Sequence, residues 1–144
     1  MRETDKKIFV AYKLTGSDKA ELQSQLESIT DVIHALGYQT FVFWRDVQNW
    51  EHSTNLSPKE IITRALEELR KCDILLALVA NSEGSEGMQL EIGAALALNM
   101  KLVLAIQKDF EEKFMRYTRS QADKTIVYSD ESDLLSKLSD LALE

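Results

Sequence analysis

Glu91 lies inside "SEGMQLEIGAALAL" (residues 85–98), a run that otherwise reads as a buried helix. Ser85 and Gly87 sit just ahead of it, in a segment with turn character. A serine hydroxyl and the free N–H groups of a first helical turn suit a phosphate or a ribose hydroxyl. Gly87 lets a ligand come close to the backbone. Glu91 falls about one turn inside the helix, so its carboxylate can point back toward the same place. Next to a sugar, a carboxylate can attack the anomeric carbon or stabilise the oxocarbenium ion formed as a base leaves. The plain alternative is a solvated acid favourably placed near a helix N-terminus.

Other residues offer weaker chemistry. Asp46, in "FWRD", could touch ribose hydroxyls or be an ordinary loop acid, and Arg45 beside it could pair with phosphate or with solvent. Trp44 and Trp50 could stack on a base or seal the edge of the core. Tyr12 ends the first strand, where it can bind a ligand or merely pack. His52 is a loop residue that could act in catalysis. His34 lies off the apolar stripe of its helix and reads as solvated. Cys72 precedes a core strand with no histidine near it in sequence, which suggests a buried and inert thiol. The sequence has no G-x-G-x-x-G, no P-loop and no metal-ligand spacing, so no cofactor is expected.

These residues need a scaffold, and the hydrophobic pattern supplies one. "KIFVAY" (Lys7–Tyr12) reads as a buried strand. Ser17 is a plausible cap for a helix from Asp18 to about Leu36, with Leu22, Leu26, Ile29 and Ile33 on one face and Gly37 as the stop. "YQTFVFW" (Tyr38–Trp44) is the second strand, followed by a polar, aromatic loop from Arg45 to Leu56. "SPKE" combines a capping serine, the chain's only proline at N1 and Glu60 closing a capping box. That helix should run to about Lys71. "DILLALVA" (Asp73–Ala80) is a continuous apolar run of the kind found in central parallel strands. After the helix that carries Glu91, which should end near Asn99, come a strand at Lys101–Ile106 and a weaker helix over Phe110–Tyr117. An edge strand at Lys124–Tyr128 and a last helix over Asp130–Leu143 complete the chain.

Strand and helix alternate from end to end, which predicts a single α/β domain over residues 1–144. The expected architecture is a three-layer sandwich around a five-stranded, mostly parallel, flavodoxin/Rossmann-like sheet of order 2-1-3-4-5. In that order a site forms where the order reverses, at the carboxyl ends of the first and third strands. The loops Lys13–Gly16, Trp44–Leu56 and Asn81–Gly87 would line it.

The 144 residues carry a net charge of −7, which argues against nucleic acid or an anionic membrane as the main partner. A small anion can still bind locally at a helix N-terminus. One cysteine excludes an intrachain disulfide framework and a cysteine-based zinc site. The N-terminal residues show no signal peptide and the longest apolar run is too short to span a bilayer, so a cytoplasmic location is expected.

"KIFVAY", "KCDILLALV" and "SEGMQLEIGAALALNMKLVLAI" together resemble the nucleoside 2-deoxyribosyltransferase-like superfamily, over roughly residues 7–107. The most specific part is Ser-x-Gly-x-x-x-Glu-φ-Gly-x-Ala, with φ apolar, followed by a Lys-φ-φ strand. The resemblance implies cleavage of the N-glycosidic bond of a nucleoside or nucleotide, by hydrolysis or transfer. It assigns Glu91 the role of nucleophile and puts Ser85 at the 5′ end of the substrate, as in nucleotide-preferring hydrolases. It also implies a homodimer, because related glycosidases build sites across dimers. The chain departs from the pattern twice: Ala65 stands where an aspartate is usual, with Glu67 and Glu68 nearby, and Phe9 stands for a common tyrosine. The same residues are similar to a TIR domain. Ser85, Gly87, Met88 and Glu91 have the spacing of its Ser-x-Trp-Cys-x-x-Glu motif, and "GYQTFVFWRD" looks like its second strand. That likeness implies NAD as an alternative substrate. A non-catalytic nucleotide-binding or assembly module, suggested by the missing aspartate, is the third reading.

Overall fold

The computed structural model describes residues 6–14, 16–80, 85–110 and 116–141. Five strands form one sheet: β1 (Lys7–Ala11), β2 (Gln39–Phe41), β3 (Ile74–Val79), β4 (Lys101–Gln107) and β5 (Lys124–Tyr128). Their order is β2-β1-β3-β4-β5, and all four pairings are parallel. The expected order holds, and the sheet is wholly rather than mostly parallel.

Alternation along the strands divides the core in two. Ile8, Val10, Leu76 and Val103 face α1 (Lys19–Ala35) and α6 (Glu131–Ser139). Phe9, Ala11, Leu75 and Leu104 face α3 (Pro58–Leu69) and α4 (Glu86–Ala97). All six residues of β3 are buried, because a central parallel strand is covered on both sides. That is why "ILLALV" lacks a polar/apolar alternation.

Local signals set most boundaries. Ser57 Oγ accepts the Glu60 N–H at 3.1 Å, and Glu60 Oε1 accepts the Ser57 N–H at 2.9 Å. This is the expected capping box, with Pro58 inside the first turn. Replacing Ser57 with Ala should cost about 1 kcal/mol, read as a lower urea midpoint at unchanged m-value. Gly37 closes α1 with φ +96°, a conformation that favours glycine.

Four expectations need correction. Asp18, not Ser17, caps α1: its side chain accepts from Glu21 N, while Ser17 Oγ donates to Lys13 O. The second strand stops at Phe41, and Phe43–Asp46 form a one-turn helix, α2. The Asp46 carboxylate accepts the Val42 N–H at 2.8 Å, and this local bond closes a turn in competition with an edge-strand ladder. Past β4 the chain makes a 3-10 turn at Lys108–Phe110, and α5 lies at Arg116–Gln121, later than expected. There Gln107 Oε1 accepts the Asp109 N–H and bends the chain; residues 111–115 of the expected helix lie outside the described residues. The last helix ends at Ser139 with Asp130 as its cap, and 142–144 are likewise outside. Among the described residues no helix is long and apolar enough to cross a membrane.

Candidate active site

The carboxyl ends of β1 and β3 flank the point where the strand order reverses, and ligands bind open α/β sheets at such points. Tyr12 directly follows β1. Its hydroxyl oxygen accepts the Trp44 N–H at 2.7 Å, so α2 fixes the ring. Burial drives the Tyr12 pKa well up, against the lowering effect of that bond, and the charges of Glu91 and Asp46 push the same way.

Ser85 caps α4, and its hydroxyl oxygen accepts the Met88 N–H at 3.2 Å. A capping hydroxyl keeps its own proton to donate. Gly87 lies in the first turn, where an added Cβ would meet nothing within 4 Å. Among the described residues, packing therefore leaves room at this turn. The rest of the expected loop, residues 81–84, lies outside the described residues.

Glu91 is half-buried on α4. Burial lifts its pKa from an ordinary 4.5 to about 7, and no donor or cation among the described residues offsets the shift. A desolvated carboxylate is a mark of a candidate functional site. It also has a stability cost. Between the two pKa values the native state holds the proton more tightly than the unfolded chain, so native stability falls as pH rises from about 4.5 to about 7. Glu91→Gln should therefore match the wild type near pH 4 and be more stable at pH 8. A gain on the order of 1–2 kcal/mol is expected after discounting for partial exposure, read from urea midpoints at the two pH values.

A groove of about 740 Å³ opens beside Tyr12, with Lys13, Gly16, Glu21, Leu78 and Ala80 among its walls. That volume suits a small organic ligand. Tyr12 lines this groove, whereas Glu91, Ser85 and Gly87 are not among its walls.

Of two further expected site residues, Trp44 turns inward and Asp46, though exposed, is held by its neighbours. Trp44 is 0% exposed, the largest fully buried side chain. Its Nε1 donates to Glu51 O at 2.8 Å, and its ring meets Trp50 edge-on at 5.0 Å. Trp44 therefore offers no face to a substrate, a correction that follows from its falling in α2 rather than at a strand end. Asp46 accepts from Val42 N and, through both oxygens, from Arg45. Burial works against its charged form, but these bonds outweigh it and hold the pKa below the usual range. Arg45 also donates to the Thr40 hydroxyl and carbonyl, and the same hydroxyl is bonded to His34 Nε2 at 2.9 Å. His34 is exposed, as expected, but not free. This side-chain network ties α2 to α1 and to the β2 edge, and no short-range pattern in the sequence announced it. The Asp18 cap could have been found, since Asp18-x-x-Glu21 has capping-box spacing.

His52 packs against the Trp44 ring at 5.9 Å and is exposed. Cys72 is buried, and burial drives its thiol pKa up to about 12. Phe9 and Ala65 are each 1% exposed, so neither position brings a polar group to the crevice.

Comparison with known proteins extends this picture. A family model described as nucleoside 2-deoxyribosyltransferase matches residues 8–133. The chain is similar to the solved CMP N-glycosidase of Clostridium botulinum, at 20% identity and a TM-score of 0.67, over 92% of this chain and 97% of that one. It is similar to a conserved protein from Enterococcus faecalis V583, at 20% identity and a TM-score of 0.69, over 94% and 98%. It is also similar to a 2-deoxyribosyltransferase from Bacillus psychrosaccharolyticus, at 17% identity and a TM-score of 0.63, over 92% and 95%. At these identities the structural likeness is one of fold. Among curated proteins none matches the chain.

Proposed function

The chain belongs to the nucleoside 2-deoxyribosyltransferase family, and from that premise we propose that it cleaves the N-glycosidic bond of a nucleotide or nucleoside with Glu91. The observation that carries this reading is the half-buried Glu91 on the helix that Ser85 caps after β3, where burial lifts its pKa to about 7. In the proposed reaction the Glu91 carboxylate bonds to the anomeric carbon as the carbon–nitrogen bond breaks and its electron pair leaves with the base. Water then attacks the same carbon and breaks its bond to the Glu91 oxygen, which leaves as the carboxylate, and one proton of the water ends on the released base. Ser85, Gly87 and the α4 N-terminus hold the phosphate or 5′ hydroxyl. Tyr12 lines the ribose pocket, with Asp46 at its border. The protein acts as a homodimer.

The departures at Ala65 and Phe9 bear on the leaving base. With both positions sealed in the core, neither can protonate it. The proposal therefore favours substrates whose base leaves readily, and hydrolysis over transfer.

The test incubates purified protein with nucleoside and deoxynucleoside monophosphates, beginning with CMP because one structural neighbour is a CMP N-glycosidase. NAD is included because the Ser85–Glu91 spacing is shared with TIR domains. Free base is followed by chromatography. Release from a nucleotide supports the proposal, and release of nicotinamide alone moves the assignment to an NAD glycohydrolase. Thermal stabilisation by nucleotide without any release marks a binding module and sinks the enzymatic reading.

A further inference from the structure

The groove beside Tyr12 lies on the α1 and α6 side of the sheet, with Leu78 and Ala80 at the carboxyl end of β3 among its walls. Helix α4, with Ser85 as its cap and Glu91 inside it, packs Met88, Ile92 and Ala95 on the opposite face. The two sides meet at the end of the sheet, where the strand order reverses.

They differ in what their helix N-termini offer. Ser85 is a neutral cap with a proton to donate, so the α4 end accepts an anion. At the groove the caps are acids. Asp18 Oδ1 accepts the Glu21 N–H at 3.0 Å, and Asp130 Oδ1 accepts the Asp133 N–H at 2.8 Å. These carboxylates fill the places a phosphate would take. Asp18, Glu21 and Glu131 outnumber the single Lys13 among the described walls. The Glu21 and Glu131 carboxylates have no hydrogen-bond or ion-pair partner among the described residues. Tyr12 supplies an aromatic wall, and the bond between its hydroxyl and the Trp44 N–H holds the ring in place. A fixed aromatic face, apolar walls and unpaired carboxylates suit a flat ring that carries a positive charge.

The chemistry proposed above gains from such a ring. Phe9 and Ala65 are each 1% exposed and bring no proton donor. A neutral base then has to take the electron pair and leave as an anion. A base that already carries a positive charge takes the pair of the breaking carbon–nitrogen bond and leaves neutral, so the proton of the attacking water passes to solvent instead.

We infer that this groove receives the base of the substrate, with the phosphate at α4, and that it selects a base bearing a positive charge, such as an N-alkylated cytosine or purine. This rests on the N-glycosidase reading above and gives that site its substrate class.

Calorimetric titration of the full-length Glu91→Gln variant, in which turnover is suppressed, tests this at neutral pH with two isomers. The base of 3-methylcytidine 5′-monophosphate is a cation and that of 5-methylcytidine 5′-monophosphate is neutral. The first should bind about tenfold more tightly. Adding Glu21→Gln and Glu131→Gln together should cut the preference to about threefold or less. Glu27→Gln, at an exposed acid on α1 outside the groove, should leave it unchanged and so separates the groove from the chain's overall charge. Absent or equal binding of the isomers, a preference that survives the double substitution, or one that Glu27→Gln narrows as much, overturns the inference. Base release by the wild type is scored separately. Release from CMP without any preference for charge refutes the groove assignment alone, and tighter binding of the cation without release from any nucleotide refutes the cleavage chemistry alone.

Discussion

Glu91→Gln should lower base release by about a thousandfold or more, equivalent to about 4 kcal/mol of lost transition-state stabilisation. The amide keeps the shape and most of the packing of the carboxylate but can neither form the glycosyl ester nor carry the negative charge that an oxocarbenium ion needs. The loss should fall on kcat, with KM little changed, since phosphate and ribose contacts lie elsewhere in the proposed site. The wild type's pH profile carries the same signature. With the Glu91 pKa near 7, kcat/KM should rise with pH and reach half its plateau close to that value, because the deprotonated form is the reactive one. An ordinary surface glutamate would already be fully ionised at pH 6 and would give a flat profile there. Full activity in the amide variant, or a flat profile from pH 5.5 to 8, would refute the assignment. The variant's predicted gain in stability at pH 8 makes the result easy to read, since lost activity cannot then be blamed on unfolding.

Trp44→Ala should destabilise the fold by about 3–5 kcal/mol, a large share of the roughly 5–15 kcal/mol available to a domain. The indole is 0% exposed and packs against Trp50, so truncation leaves a large apolar cavity. It also removes the Nε1 donor to Glu51 O. Trp44→Phe keeps most of the packing but loses that bond and should cost less. Urea midpoints for the two variants would separate the contributions. Midpoints within about 0.5 kcal/mol of wild type for Trp44→Ala would mean that the ring is not in the core. The change should also reach the candidate site, because the backbone N–H of Trp44 holds the Tyr12 hydroxyl. A loosened α2 frees that ring at the groove it lines.

The elements were legible in the sequence where one local cause dominates. Alternating strand and helix patterns over 144 residues leave few topologies, and the right-handed crossover rule reduces them further. The order β2-β1-β3-β4-β5 followed from that. Ser57, Pro58 and Glu60 announce a helix start because capping is a short-range hydrogen-bond effect. The spacing of Ser85, Gly87 and Glu91 placed all three in the first two turns of a helix following a central strand, since six residues span less than two turns.

Tertiary structure decided the rest. Whether Glu91 is a solvated acid or a desolvated one depends on what surrounds it, and only burial in the packed fold raises its pKa to about 7. Trp44 reads equally well as a base-stacking residue or a core residue until α2 turns it inward. The bonds that make that turn, from Val42 N and Arg45 to Asp46, lie within four residues. They prevail because β2 is an edge strand paired with β1 alone, a property of the assembled sheet. Helix α4 shows the limit most plainly. Its sequence is apolar on every side and does not mark which side meets the sheet. The fold buries Met88, Ile92 and Ala95 and leaves Leu90 and Leu98 in the open. Local propensity and periodicity specify elements; desolvation and exposure are properties of a surface that exists only once those elements have packed.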